Sequence, residues 1–281
     1  MSIAIVTDST SYLDQNYIDA HKITILPLTT TFSDGTYVEG QDISPEEFYQ
    51  KMTNLNEIPT SSQPSSGVIT EKLNALSQDY DHLLVITISS GISGTAQTIQ
   101  ALSQSITDAQ VHVIDSQLTC LPQAFMVEKA VDMVAASAEI DDILAALEEQ
   151  RQHIEAYFIV DDLQHLAKGG RLSQAGALMG GLLKIKPLLY FKDGKIEVFD
   201  KIRTSKKAAG RILEMLAEAD ARVEGPLRIG VVGNEDSEMV QYLMREIADR
   251  YPEYSLSRSY FGPVIGTHLG DGAYGVGWTV Q

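Results

Sequence analysis

The sequence predicts an α/β protein of two domains, and three observations carry that expectation. Up to about residue 150, apolar runs of strand length alternate with helical patterns, as in a parallel sheet with crossover helices. Beyond that point the rhythm changes to short strands, a Lys192-Asp193-Gly194 hairpin signal and separate helices, which predicts an α+β unit with a mostly antiparallel sheet. A length of 281 residues suits two cores better than one. The expected division is 1–154 and 155–281.

The elements follow in order. Residues 3–7 read as a buried strand, with a helix over Leu13–His21. Residues 23–31 read as a second strand, in which Pro27 signals an edge or a bend. Phe32–Asp42 reads as a turn or short hairpin. Ser44-Pro45-Glu46-Glu47 supplies an N-cap, a proline at the first helical position and an acid at the third, so a helix runs from there to about Met52. Residues 58–67 (IPTSSQPSSG) can bury little and read as a linker rich in hydroxyls. A helix over Ser66–Leu76 precedes the most informative stretch, 82–106. There the apolar strand Leu83–Ile88 enters a Gly/Ser/Thr loop, SSGISGT, and a helix begins near Ala96. Such a helix start offers unpaired N–H groups to an anion, although a well-capped empty turn has the same composition.

Residues 111–115 form the next strand, and Pro122 fits a helix start. Phe125–Ala136 and Asp141–Gln150 are amphipathic helices. Tyr157–Val160 is a strand, 161–171 a helical turn broken at Gly169-Gly170, and 174–184 a helix of small residues. Strands 187–191 and 195–201 flank the hairpin turn, and Thr204 caps a helix to about Ala219. A strand at 227–232, a helix over Ser237–Arg250 and a strand over Ser255–Phe261 come next. Gly262–Gly272 reads as a loop carrying His268, and 273–280 as the last strand.

Composition narrows the function. A hydrophobic share of 44% and a charged share of 21% are ordinary for a soluble protein. No integral membrane segment and no signal peptide are expected, and with a single cysteine, Cys120, the expected location is cytoplasmic. A net charge of −17 disfavours nucleic acid as a partner. Charge is uneven, however: residues 168–211 hold 11 of the 21 Lys and Arg and only three acids, which makes them +8. That basic field suggests docking to an anionic partner or ligand.

The sequence has no HExxH, no CxxC and no GxxxxGK[ST], so no metal and no cofactor is expected. Two readings of the remaining polar residues stand side by side. Ser61, Ser93, the N–H groups after Gly94 and His268 form one carboxylate clamp. Alternatively, Ser93 is the nucleophile of a serine hydrolase acting on acyl esters with His268, Asp115 or Asp200 being the acid. Against the hydrolase, Thr95 stands where the elbow's last glycine belongs. The acidic pairs Asp8-Ser9, Asp115-Ser116 and Asp161-Asp162 read as turn and cap residues, and Cys120 as a small residue at a helix start.

Seven motifs, IVTDST (5–10), TSSQPS (60–65), ISSGISGT (88–95), VIDS (113–116), LAKGGR (166–171), IKPLL (185–189) and GTHLGDGAYGVGW (266–278), occur in an order and spacing that resemble the DegV family over the whole chain. The better-understood members of that family are the fatty-acid-binding FakB subunits of bacterial fatty acid kinase. The resemblance implies a lipid site at or near the interface of the two domains. It implies a long-chain fatty acid held by its carboxylate on Ser61, Ser93 and His268, with Ser62, Gly94 and Thr95 in the supporting loops. It further implies a carrier with no catalytic residue of its own. A separate ATP-dependent kinase would convert the acid to an acyl phosphate for phospholipid synthesis, with Arg171 and Arg203 at the pocket mouth or the kinase contact. The chain departs from the family pattern in three places: Ser61 replaces threonine, Asp271 replaces a proline, and QLTCLPQA follows the DS motif. The helix with Leu178, Met179, Leu182 and Leu183 is the expected cavity lining.

Overall fold

The computed structural model describes residues 2–161, 163–172 and 186–281. The first half runs β1 (Ile3–Asp8), α1 (Gln15–Ala20), β2 (Thr24–Leu26), β3 (Thr29–Phe32), β4 (Gly35–Val38), α2 (Pro45–Leu55), β5 (Thr60–Ser62), α3 (Ser66–Ser77), β6 (His82–Thr87), α4 (Thr95–Ser103), β7 (Gln110–Asp115), α5 (Cys120–Ala135) and α6 (Ile140–His153). The second half runs β8 (Glu155–Ile159), α7 (Gln164–Lys168), β9 (Lys186–Lys192), β10 (Lys195–Ile202), α8 (Ser205–Asp220), β11 (Leu227–Gly233), α9 (Glu238–Arg250), β12 (Ser255–Ser259), α10 (Pro263–Leu269) and β13 (Tyr274–Val280).

These elements build layers. A parallel sheet of order β2-β1-β6-β7 belongs to the first half. Its strands are apolar on both faces because both are covered. Ala4, Val6, Leu83 and Val85 meet Ile69 and Leu73 of α3 and Ile99 of α4. The alternate residues Ile5, Leu84 and Ile86 meet Met126, Val127 and Ala130 of α5 and Ile143 of α6. A second sheet, β10-β9-β8-β13-β11-β12, belongs to the second half and is antiparallel except for the β11–β12 pair. Its outer face packs on α8 and α9 through Ile212, Leu216, Val240 and Leu243.

Helix α5 lies between the two sheets and is therefore buried almost all round. Leu121, Ala124 and Phe125 pack with Phe158, Val160 and Val232 of the second sheet. Two glycines make that approach possible. A Cβ on Gly230 would sit 2.6 Å from Leu121 Cδ1 and 3.1 Å from Phe125 Cζ, and one on Gly277 2.8 Å from Pro122 Cγ.

Several expectations need correction. The single strand at 23–31 is two strands, divided around Pro27, which cannot donate to a ladder. β2 joins the parallel sheet, while β3 turns away into a small sheet of order β4-β3-β5. The linker reading of 58–67 fails in its middle, because Thr60–Ser62 pairs antiparallel with Thr29–Thr31. The His268 loop is the helix α10, started by Pro263 at its first turn and ended by Gly270 at φ +74°. The helix at 13–21 is shorter, Gln15–Ala20, capped by Asp14. Helix α5 begins at Cys120, two residues before Pro122. The strand at 255–261 stops at Ser259. The expected helix at 174–184, with Leu178, Met179, Leu182 and Leu183, lies outside the described residues, as does Asp162 of the Asp161-Asp162 pair.

Replacing Gly230 by valine tests the α5 approach. Valine favours a strand by at most ~1 kcal/mol, whereas overpacking a filled core costs ~1–3 kcal/mol. Gly230→Val should therefore lower the urea midpoint at an unchanged slope, and an unchanged midpoint would contradict the packing described.

Candidate functional site

A cavity opens between the start of α5 and the inner face of the second sheet, with about 150 Å³ available to the centre of a water-sized molecule. Most of its wall is apolar: Ile88, Ile92, Pro122, Phe158, Phe191 and Ile265 are among the lining residues. One region is polar, where Ser61, Ser62, Gln63, Ser93, Gly94, Arg171 and His268 meet.

Ser61 reaches this region because β5 pairs with β3, with Thr30 opposite Ser61. Its Oγ lies 2.7 Å from Nε2 of His268, which α10 carries one residue before its end. The other ring nitrogen, Nδ1, is enclosed and has no hydrogen-bond partner among the described residues. It faces Gly169, where a Cβ would stand 2.3 Å from it. The Gly169-Gly170 break is therefore a steric requirement of the histidine: Gly169 yields space and Gly170 takes φ +69°. Burial above all, then the Arg171 charge and the His165 ring, push the His268 imidazole down to about 4. The ring is neutral at physiological pH, with one N–H and one lone pair to share between its two nitrogens.

Ser93 stands on the turn from β6 to α4. Its hydroxyl lies 2.8 Å from Thr95 Oγ1 and accepts the Thr95 N–H at 3.3 Å. Thr95 itself is buried and Ser62 is exposed. Gln63 ties the two loops together. Its amide donates to Thr98 Oγ1 at 2.6 Å, and a Cβ on Gly94 would stand 2.6 Å from its Oε1. The Ser93 loop is also held from outside its own half: the Ser89 hydroxyl donates to the Gly194 carbonyl at the β9–β10 turn, at 2.6 Å.

Arg171 lines the cavity. Its Nε donates to the Ile92 carbonyl at 3.1 Å, and its guanidinium also donates to the Gly169 carbonyl. Burial lowers its pKa from the ordinary value, but a guanidinium stays charged in a protein. Arg203, by contrast, is exposed after β10 and is not among the described lining residues. Asp271 is exposed beyond the end of α10 and accepts the Gly272 N–H. Cys120 is in the wall, but burial pushes its thiol up, so it stays protonated and unreactive.

A catalytic triad is not assembled. The hydroxyl on His268 is Ser61, and the partner of Ser93 is Thr95. Asp115 accepts from the Ser90 N–H and hydroxyl and from the Gln117 N–H, and Asp200 from the Lys201 N–H. No carboxylate bonds His268 Nδ1 among the described residues, so nothing orients the ring as a triad acid does. Among the described residues there is also no cluster of three or more metal-ligating side chains, and no helix long and apolar enough to cross a membrane. Sequence reasoning missed the bridging role of Gln63 and the dependence of His268 on Gly169. The TSSQ and GGR spacings alone held no sign of these contacts.

Together, the fold and the cavity define a class: an α/β protein whose two larger sheets enclose a central helix, with an amphipathic cavity beside that helix. The chain belongs to the DegV family, whose model, described as "Uncharacterised protein, DegV family", matches residues 2–281. Protein DegV of Bacillus subtilis is 42% identical over 279 residues, covering 99% of each chain. The crystal structure of DegV from that organism, described as a fatty acid binding protein, superposes with a TM-score of 0.94 at 41% identity over 100% of both chains. A fatty-acid-binding DegV family protein from Streptococcus agalactiae superposes with a TM-score of 0.93 at 34% identity, covering 100% of this chain and 99% of that one.

The neutral histidine has a pH signature. Its folded pKa of about 4 lies below its ordinary value of 6.5, so the unfolded chain takes up the proton first. Stability from this group is complete above pH 6.5 and is lost as pH falls toward 4. Glu39, raised from 4.5 to about 7, contributes a slope of opposite sign over part of the same interval, so the comparison must be made against a variant. Between pH 7 and 5, urea unfolding should show the wild type losing about 1–2 kcal/mol relative to His268→Gln. Equal losses would mean that the ring is not held neutral.

Proposed function

We propose that this chain binds one long-chain fatty acid. Its carboxylate sits on the hydroxyls of Ser61 and Ser93 and on His268, its acyl chain fills the apolar cavity, and the chain has no catalytic activity of its own. The observation that carries the reading is the cavity itself: a polar region that includes Ser61, Ser93, Arg171 and His268, on a mostly apolar wall. Relatives described as fatty acid binding proteins support it.

The energetics fit such a ligand. Each buried CH₂ is worth ~0.8 kcal/mol, so a long acyl chain gains on the order of 10 kcal/mol before ordering costs. A buried carboxylate without partners costs several kcal/mol. Hydrogen bonds to a charged group return ~1.5–3 kcal/mol each, and the Ser61 and Ser93 hydroxyls, with His268 Nε2–H donating to Ser61 Oγ, offset part of that cost. The Arg171 cation adds charge compensation that the neutral His268 cannot supply. Ser62, Gly94 and Thr95 keep the two loops in place around the head group.

The ligand's fate follows the same reading. The chain presents its fatty acid to a separate ATP-dependent fatty acid kinase, which converts the carboxyl group to an acyl phosphate for phospholipid synthesis in the cytoplasm. Residues 1–154 and 155–281 act as two domains with the lipid at their junction. Arg171 serves the pocket mouth and the exposed Arg203 the kinase contact. Exposed Lys192 and Lys195 at the β9–β10 turn, and Lys201, Lys206 and Lys207 near Arg203 at the other end of that hairpin, support docking to an acidic surface. The β9–β10 turn in this basic region touches the Ser93 loop, which would bring a docked partner near the head group.

Removing one donor should weaken binding of a fluorescent long-chain acid by ~10- to 100-fold, as ~1.5–3 kcal/mol implies. Titration of Ser93→Ala and His268→Ala measures this, with circular dichroism confirming the fold. Wild-type affinity in both variants would remove the assigned head-group site. A serine-reactive phosphonate should leave Ser93 unlabelled, whereas covalent labelling there would favour the hydrolase.

A further inference from the structure

Glu39 follows β4 in a polar segment that reads as a surface turn, yet it is only 5% exposed. Three donors from two places, the Ser9–Tyr12 turn after β1 and the start of α10, converge on its carboxylate. The Ser9 hydroxyl donates to Oε2 at 2.5 Å, and the Tyr12 hydroxyl and the Val264 N–H donate to Oε1 at 2.9 and 2.8 Å. The Tyr12 oxygen in turn accepts the Ile265 N–H at 3.3 Å. Val264 and Ile265 form the first turn of α10, the helix that ends at His268. Gly262, just before it, leaves no room for a side chain: a Cβ would stand 2.3 Å from Tyr12 Cε1 and 2.9 Å from Glu39 Oε1.

We infer that Glu39 is a positioning residue for His268: in its ionised form it fixes the first turn of α10 and so holds the imidazole against Ser61. This inference rests on the reading of His268 as part of the head-group clamp. An ionised carboxylate offers acceptors alone, which matches the three donors aimed at it. A protonated carboxyl must turn one of those bonds round, with Oε2 donating to Ser9 Oγ, which already accepts the Leu28 N–H at 3.1 Å.

The surroundings put the change of state near neutral pH. Burial above all raises Glu39 to about 7, with Asp8 of β1 adding to the rise. Tyr12, Tyr49 of α2, Cys120 of α5 and Tyr260 all sense its charge, and all stay protonated in that range. Asp42, Glu47 and Lys72 line the surface groove beside it. His268, at about 4, does not itself titrate there.

The test uses ligand-free protein labelled with ¹⁵N-valine and ¹³C-histidine, followed by NMR from pH 5.5 to 8.5. In the wild type the Val264 amide and the His268 ring resonances should move together, with a midpoint near 7. Glu39→Gln should abolish both movements, and Tyr12→Phe, which removes one donor, should shift the midpoint upward. A Val264 titration that His268 does not follow, or movements that persist in Glu39→Gln, would overturn the inference. Binding of a long-chain acid by the same samples should be roughly fivefold weaker in Glu39→Gln than in wild type at pH 8.5, the gap between a charged and a neutral acceptor, and equal at pH 6. Failure of the wild type to bind any such acid would count against the proposed function alone, because the resonances still decide the role of Glu39.

Discussion

A hydrogen bond of 2.7 Å joins Ser61 Oγ to His268 Nε2 across 207 residues of chain. It exists only if a three-residue edge strand and a seven-residue helix, each too short to be stable alone, are set against each other. The strand is paired to β3 of its own half, and the helix is held by residues of the opposite half. Tyr12, Glu39 and Tyr49 from the first half grip the chain around α10. The hairpin turn at Gly194 from the second half grips the loop that presents Ser93. Neither half carries a finished polar site, and the junction between them completes it.

Burial decides the chemistry of that junction. The enclosed imidazole is neutral, its Nδ1 has no acceptor to orient it among the described residues, and Arg171 is a nearby cation. A general base of the hydrolase kind needs an oriented histidine hydrogen-bonded to its nucleophile. Here Ser93 is bonded to Thr95 instead. Hydroxyls, a neutral ring and a fixed guanidinium suit holding an anion better than activating a nucleophile. The same arrangement explains why glycines gather here: Gly169 and Gly262 admit the His268 ring and the Tyr12 ring at distances no Cβ would allow.

Much of this was legible in the sequence. Strongly periodic segments read correctly because their pattern is local: the β6 strand with its glycine loop and α4, the Ser44–Glu47 capping box, and the Asp193-Gly194 hairpin. Ser61, Ser93 and His268 line one cavity. What escaped was set by distant contacts. β5 has no apolar alternation and exists because β3 offers it an edge. α10 is bracketed by glycines that resemble loop signals, and its caps lie more than two hundred residues away. Glu39 sits in a stretch, VEGQD, whose composition is that of an exposed turn, and only the folded neighbours make it a buried acid. Arg203 is exposed and is not among the described lining residues.

A cavity that takes one acyl chain by its carboxylate, as proposed above, can be checked by mass. Native mass spectrometry of the purified protein, before and after delipidation and again after addition of palmitic acid, tests it most directly. The account predicts a single adduct of fatty-acid mass per chain that delipidation removes and palmitic acid restores, with no comparable adduct from the matching long-chain alcohol. Absence of any adduct, or equal uptake of the alcohol, would contradict it.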